Sequence, residues 1–196
     1  MYTSQIQQLI RAFKKLPGVG SRTAERYVFF LLKSGKKDVA ELTLALKEVI
    51  NTIKTCETCC NFSDSSPCKI CTNPKRSQTQ ICVVTHPQDV EVIERVGIHK
   101  GLYHVLRDTL NTEKTIQEQT IKITELFERI KHKPTELILA LNPDMAGETT
   151  MMYISRFCKK NYPETKVTRL ARGLPMGSDV QYADNVTLES AFVNRI

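Results

Sequence analysis

Glu136-Leu137-Ile138-Leu139-Ala140-Leu141 runs directly into Asn142-Pro143-Asp144-Met145-Ala146-Gly147-Glu148. The first part is the clearest strand of the chain. Its near-continuous apolar run is the pattern of a strand buried on both faces. A helix is expected over 147–160. The same alternation repeats on either side. Residues 81–85, Ile-Cys-Val-Val-Thr, read as a buried strand, and 89–96 as a helix. Residues 101–106 form a further strand, 107–117 a polar connection, and 119–131 a helix that turns Ile123, Leu126, Phe127 and Ile130 inward. Residues 166–171 form a last strand. Strands alternating with helices predict a mainly parallel sheet with flanking helices, an α/β domain. Sites in such sheets lie beyond the carboxyl ends of the strands. Two ends are informative here, Thr85-His86-Pro87-Gln88-Asp89 and the loop 142–148. Asp144 and Glu148 are the acids of that loop. For Asp144 two readings stay open: a metal or partner contact, or a helix-start acid facing the dipole.

A chain of 196 residues permits one large domain or two small ones around a linker. With 41% apolar residues it can build cores, which excludes wholesale disorder. It lacks the long apolar run a membrane helix needs. The N-terminal Met-Tyr-Thr-Ser-Gln has no basic patch followed by an apolar stretch, so no secretory signal is expected. The cysteine usage fits a reducing cytoplasm. Cys82 and Cys158 read as small core residues.

Four of the seven cysteines fall in metal spacing. Cys56 and Cys59 form one C-x2-C pair, and Cys68 and Cys71 another, with eight residues between the pairs. Each pair can place two thiolates on one ion, giving a closed tetrahedral S4 site suited to structural Zn²⁺. Two disulfides or four unrelated thiols are the alternatives. Cys60 is a spare thiol or a register alternative to Cys59, and C-x2-C spacing favours Cys59.

The charge sits at the N-terminal end. Net charge is +7, yet residues 1–55 hold ten Lys/Arg against four acids, whereas the chain beyond residue 78 balances fifteen against fifteen. Such a local excess points to a polyanion, most often nucleic acid, with a merely solvated face as the alternative. Residues 3–16 read as a helix with Ile6, Leu9, Ile10, Phe13 and Leu16 on one face. Pro17-Gly18-Val19-Gly20 ends it. A second helix starts at Ser21 and closes at Gly35. A third runs over 38–54, with Asp38 and Glu41 as a capping box. A Gly-x-Gly turn that opens a helix presents free N–H groups suited to a phosphate. Arg22 and Arg26 lie four apart on the helix that follows. Gly18, Gly20, Arg22 and Arg26, with Lys14 and Lys15, are therefore the candidate DNA contacts. A plain αα-hairpin turn is the alternative. Backbone contacts of this type position without specifying sequence.

The Leu16-Pro-Gly-Val-Gly20 turn resembles a helix-hairpin-helix, and the sheet with its acidic loop resembles a Toprim domain. Active Toprim enzymes carry a Glu after the first strand and a D-x-D after a later one. Here those positions hold Thr85 and Asn142, leaving Asp144 and Glu148. Possible Mg²⁺ coordination is thereby weakened, and no catalytic residue is expected. The run Val167-Thr-Arg-Leu-Ala-Arg-Gly-Leu-Pro-Met-Gly-Ser-Asp-Val-Gln-Tyr-Ala-Asp184 resembles the segment that follows the Toprim domain in the RecR family of recombination mediators. Ile98-His-Lys-Gly-Leu-Tyr-His-Val-Leu106, the hairpin, the C4 finger and their order are similar to that family too. Thr85 and Ala146 depart from its usual Glu, while Asn142 is usual for it.

The resemblance implies a helix-hairpin-helix region over 1–54, a C4 zinc finger over 55–77, a Toprim domain over 78–172, and a C-terminal segment over 173–196 that contacts a neighbouring subunit. It implies a non-enzymatic, ring-shaped tetramer in the cytoplasm. That ring would bind single-stranded, double-stranded or gapped DNA and act with RecO, and RecF where present, to help load RecA at gaps. Two other classes compete: a Toprim enzyme of the nuclease or topoisomerase kind, against which Thr85 and Asn142 speak, and a zinc adaptor without DNA contact, against which the basic hairpin speaks.

Overall fold

The computed structural model describes residues 2–111, 120–132 and 134–195. Parts of the expected connection over 107–117 and the expected start of the 119–131 helix lie outside the described residues. The chain divides into two compact units, Met1–Ile53 and Lys54–Ile196.

The first unit pairs α1 (Ser4–Phe13) with α2 (Ser21–Thr52). Ala24 and Val28 of α2 are fully buried, and Phe13 meets Tyr27 edge-on at 5.8 Å. α1 stops at Phe13, short of residue 16. The chain then tightens, Leu16 N–H donating to Phe13 O at 3.0 Å. The second and third expected helices are one element interrupted at Gly35, whose φ of 86° and ψ of 169° are non-helical. Glycine adopts this backbone without a Cβ clash. Helix resumes immediately after Gly35, so Asp38 lies inside it and forms no cap. Lys36 and Lys37 are good helix formers and start the helix before Asp38 can.

The second unit is built on four parallel strands in the order β4-β3-β5-β6: β3 (Gln80–Val84), β4 (Leu102–Val105), β5 (Glu136–Ala140) and β6 (Lys166–Arg169). Helices α3 (Pro87–Val96), α4 (Ile123–Ile130) and α5 (Met145–Asn161) complete the β-α alternation. The strands read from the apolar runs are present to within a residue or two at each end. Period-two alternation along β3 sorts the core into two layers. Ile81 and Val83 join Leu126, Ile130, Leu137, Leu139 and Ile154 on one face. Cys82 and Val84 join Val90, Tyr103 and Val105 on the other. Cys82 and Cys158 are both buried core residues. A short hairpin, β1 (Lys54–Thr55) with β2 (Phe62–Ser63), precedes the sheet. Helix α6 (Asn185–Val193) ends the chain, its N-terminus capped by Asp184, which accepts from Thr187 N–H at 2.9 Å.

One polar side chain is sealed into the sheet. His104 on β4 is fully buried and donates from Nε2 to Lys122 O at 2.8 Å, while Nδ1 has no partner. Burial disfavours the imidazolium and pushes its pKa down to about 4. The unfolded chain takes up this proton near pH 6.5, well before the fold does. The contribution of His104 to stability is therefore complete above pH 6.5 and is lost as pH falls toward 4, on the order of 3 kcal/mol in all. Urea melts between pH 7 and 4.5 are expected to show this slope in the parent. In His104→Gln the same melts should be flatter, with lower stability at pH 7 from imperfect packing.

Candidate metal centre and nucleic-acid interface

Two tight turns set the cysteines. Cys60 N–H donates to Cys56 O at 2.9 Å, and Thr72 N–H donates to Cys68 O at 3.0 Å. Each turn aims both sulfurs of its pair the same way. The Sγ atoms of Cys56, Cys59, Cys68 and Cys71 all lie within 4.8 Å of one another. Cys59 and Cys68 are 3.6 Å apart and Cys56 and Cys71 are 4.0 Å apart. A tetrahedron with Zn–S bonds of about 2.3 Å has edges of about 3.8 Å, whereas a disulfide needs about 2.05 Å. All seven cysteines are free thiols, so the disulfide alternative falls. Among the described residues this is the one group of three or more His, Cys, Asp or Glu side chains placed to hold a metal ion. Cys60 is buried at a φ of 60° and stands outside the cluster.

The donor set suits a soft or borderline cation. Cys68 is held down by S–H bonds from Cys59 and Cys71, while bonding to Cys68 and burial push Cys59 up. Cys71 is lowered by the bond from Cys59, yet its bond to Cys68 and burial carry it up to about 12. A divalent ion held by Cys56, Cys59, Cys68 and Cys71 would favour their thiolate forms.

The cysteine loop is fastened to the sheet. Val105 N–H donates to Cys59 O at 2.8 Å, so the loop occupies the free edge of β4. Arg107, at a φ of 70°, donates from Nε to Cys60 O at 2.8 Å and from its terminal nitrogen to Thr55 Oγ1 at 3.1 Å. Its guanidinium lies 3.7 Å from the Phe62 ring centroid. Ile70 packs both on the cysteines and on the sheet. Sequence reading missed Arg107, because its partners are about fifty residues away and carbonyl acceptors leave no trace in a sequence.

In the first unit, Gly18 has a φ of 75° and Gly20 stands at the N-cap of α2. Gly20 supplies no side-chain cap, so the first-turn N–H groups of α2 stay available to an anion. Lys14, Lys15, Arg22 and Arg26 are exposed and, among the described residues, make no ion pair. Arg26 lies 5.9 Å from the Tyr27 ring centroid.

The acidic loop is arranged otherwise. Asp144 is the N-cap of α5 and accepts from Gly147 N–H at 2.7 Å. A Cβ on Gly147 would stand 2.0 Å from Asn142 O, so only glycine fits this turn. Glu148 pairs with Arg172 and, at 3.5 Å, with Arg169. Thr85 is buried with its hydroxyl unpartnered. One carboxylate thus caps a helix and the other is neutralised by arginine, an arrangement that does not fit Mg²⁺.

A parallel sheet with a reduced acidic loop, a four-cysteine loop on its edge and an N-terminal helical hairpin define a Toprim protein equipped with a helix-hairpin-helix region. Family models match on these lines: a Toprim domain over residues 79–171, the RecR helix-hairpin-helix over 6–50 and the RecR C-terminal region over 173–196. Recombination protein RecR of Dehalococcoides mccartyi is 42% identical over 191 residues, 97% of this chain and 93% of that protein. Recombination protein RecR of Clostridium perfringens is 43% identical over 194 residues, 99% of this chain and 97% of that protein. The chain belongs to the RecR family.

The cluster geometry separates two neighbouring cysteines. Cys59→Ser is expected to lose stoichiometric metal from purified protein, and Cys60→Ser to retain it, by elemental analysis after desalting.

Proposed function

We propose that this chain is a non-enzymatic DNA-binding mediator of recombinational repair. It works as an oligomeric ring or clamp in the cytoplasm, with RecO and RecF, to help RecA load at single-strand gaps. The RecR relatives support the process, and their name supports recombination as its setting. The observation that carries the DNA contact is local: the uncapped first turn of α2 beside exposed, unpaired Arg22 and Arg26. Lys14, Lys15, Gly18 and Gly20 complete the contact. Phosphates meet N–H groups and guanidinium groups there, so binding has little sequence preference. Among the described residues, no helix is long and apolar enough to cross a membrane.

Cys56, Cys59, Cys68 and Cys71 would hold one structural Zn²⁺ per chain. Four protein sulfurs fill its coordination, so it activates no water. No reaction is assigned to Asp144 or Glu148.

Oligomerisation has its own support. Beyond Gly35, α2 leaves Leu42, Leu46, Val49 and Ile50 exposed, the last at 79%. A stripe of this length in water marks a contact surface. A second copy covering it would repeat the basic hairpin around a closed assembly, multiplying weak phosphate contacts. A tetramer with further contacts through residues 173–196 is the form we propose.

Binding to a labelled gapped duplex across a salt series tests the DNA contact. The Arg22→Ala/Arg26→Ala double variant is expected to bind more weakly, with a log–log salt slope shallower by about two for each subunit engaged. Equal binding by parent and variant would move the interface elsewhere. Divalent-dependent DNA relaxation or primer synthesis by pure protein would overturn the non-enzymatic reading, and a monomer by light scattering at all concentrations would overturn the ring.

A further inference from the structure

The Glu148 carboxylate sits where β6 gives way to the C-terminal segment. Leu170 N–H makes the last sheet bond, to Leu139 O at 3.3 Å. Arg172 follows, and then Gly173 opens a stretch without regular structure up to the short 3-10 turn Val180–Tyr182. Hydrogen bonds among the described residues beyond Arg172 are local, such as Ser178 to Pro175, Thr187 to Asp184 and Asn194 to Ser190. Large apolar side chains of this stretch, among them Met176 and Tyr182, stay exposed. Arg172 is therefore the last polar anchor between the segment and the sheet.

The anchor is an ion pair partly withdrawn from solvent, its side chains 30% and 29% exposed. Glu148 Oε1 and the Arg172 terminal nitrogen pair with each other, and both atoms are out of contact with water. Arg169, projecting from β6, approaches the second Glu148 oxygen at 3.5 Å. The carboxylate lies on the first turn of α5, whose N-cap Asp144 is itself engaged by Gly147 N–H. Helix α5 is tied down by buried Met151, Ile154 and Cys158. The arginine is thus held by a rigid element, and releasing it would leave a carboxylate with one distant cation.

We infer that Glu148 is a latch for the C-terminal segment: through Arg172 it sets where and in what direction residues 173–195 leave the sheet. A carboxylate at a Toprim loop position serves here to hold an arginine in place of a metal ion. Asp144 positions the latch by capping the helix that carries it. The inference concerns the exit of the segment and does not depend on what the segment touches afterwards.

Trypsin reads the latch directly, because the protease must take the Arg172 side chain into its own pocket to cut Arg172–Gly173. Full-length protein is digested briefly, and fragments ending at Arg172 are timed by mass spectrometry against those ending at exposed Arg95. Glu148→Gln is expected to speed cleavage at Arg172 about fivefold, the scale of a lost ion pair, with Arg95 unchanged. Should Glu148→Gln loosen the sheet and speed both sites, Arg172→Lys decides, since it alters the segment alone and keeps a cleavable residue. It too should be cut faster at position 172. Millimolar Mg²⁺ should leave the parent pattern unchanged. Equal cleavage at position 172 in the parent and both variants would overturn the latch. So would Mg²⁺ that speeds the cut in the parent and not in Glu148→Gln, because Glu148 would then be a metal ligand.

Discussion

The bond from Val105 N–H to Cys59 O, at 2.8 Å, is the contact on which the second unit depends. β4 is an outer strand, and an unpaired outer strand exposes N–H and C=O groups to water or to another chain. The four-cysteine loop pairs that edge at Val105, and the Arg129 guanidinium caps it at Tyr103 O. Arg107 bonds the Cys60 carbonyl and stacks on Phe62, and Ile70 bridges the cysteines and the sheet core. A metal bound by the four sulfurs would therefore stiffen more than its own loop. It would hold the backbone that closes the sheet, so that metal binding, edge protection and core packing form one cooperative unit.

Charge is divided with similar economy. The sheet and its helices balance their acids and bases, and the acids at the carboxyl end of the strands are already engaged. Asp144 caps α5 and Glu148 faces two arginines. The excess positive charge lies in residues 1–55, where the N-terminus of α2 carries no side-chain cap. The acidic corner is thus internally neutralised, whereas the first turn of α2 keeps N–H groups of the kind that suit an anion. The apolar stripe along the later part of α2 adds a surface that water does not favour.

Much of this was legible from sequence because it is local. Apolar runs marked β3 and β5, the β-α alternation placed β4 and β6, and C-x2-C spacing marked the cysteine turns. Both patterns act within one element, where period and spacing translate directly into geometry. The small misreadings were also local. Asp38 resembled a cap, yet Lys36 and Lys37 let the helix resume at once after Gly35. For the adjacent thiols the C-x2-C spacing already favoured Cys59, and Cys60 stands outside the cluster.

The sequence by itself determined the α/β alternation, the paired C-x2-C cysteine spacing and the basic hairpin, since each depends on neighbours a few residues apart. Tertiary structure decided the rest. It brought Arg107 to the cysteine loop and delivered Arg172 to Glu148. It also turned Asp144 to its own helix. These are pairings between segments remote along the chain, where charge and hydrogen-bonding capacity name many possible partners and only the packed sheet selects one.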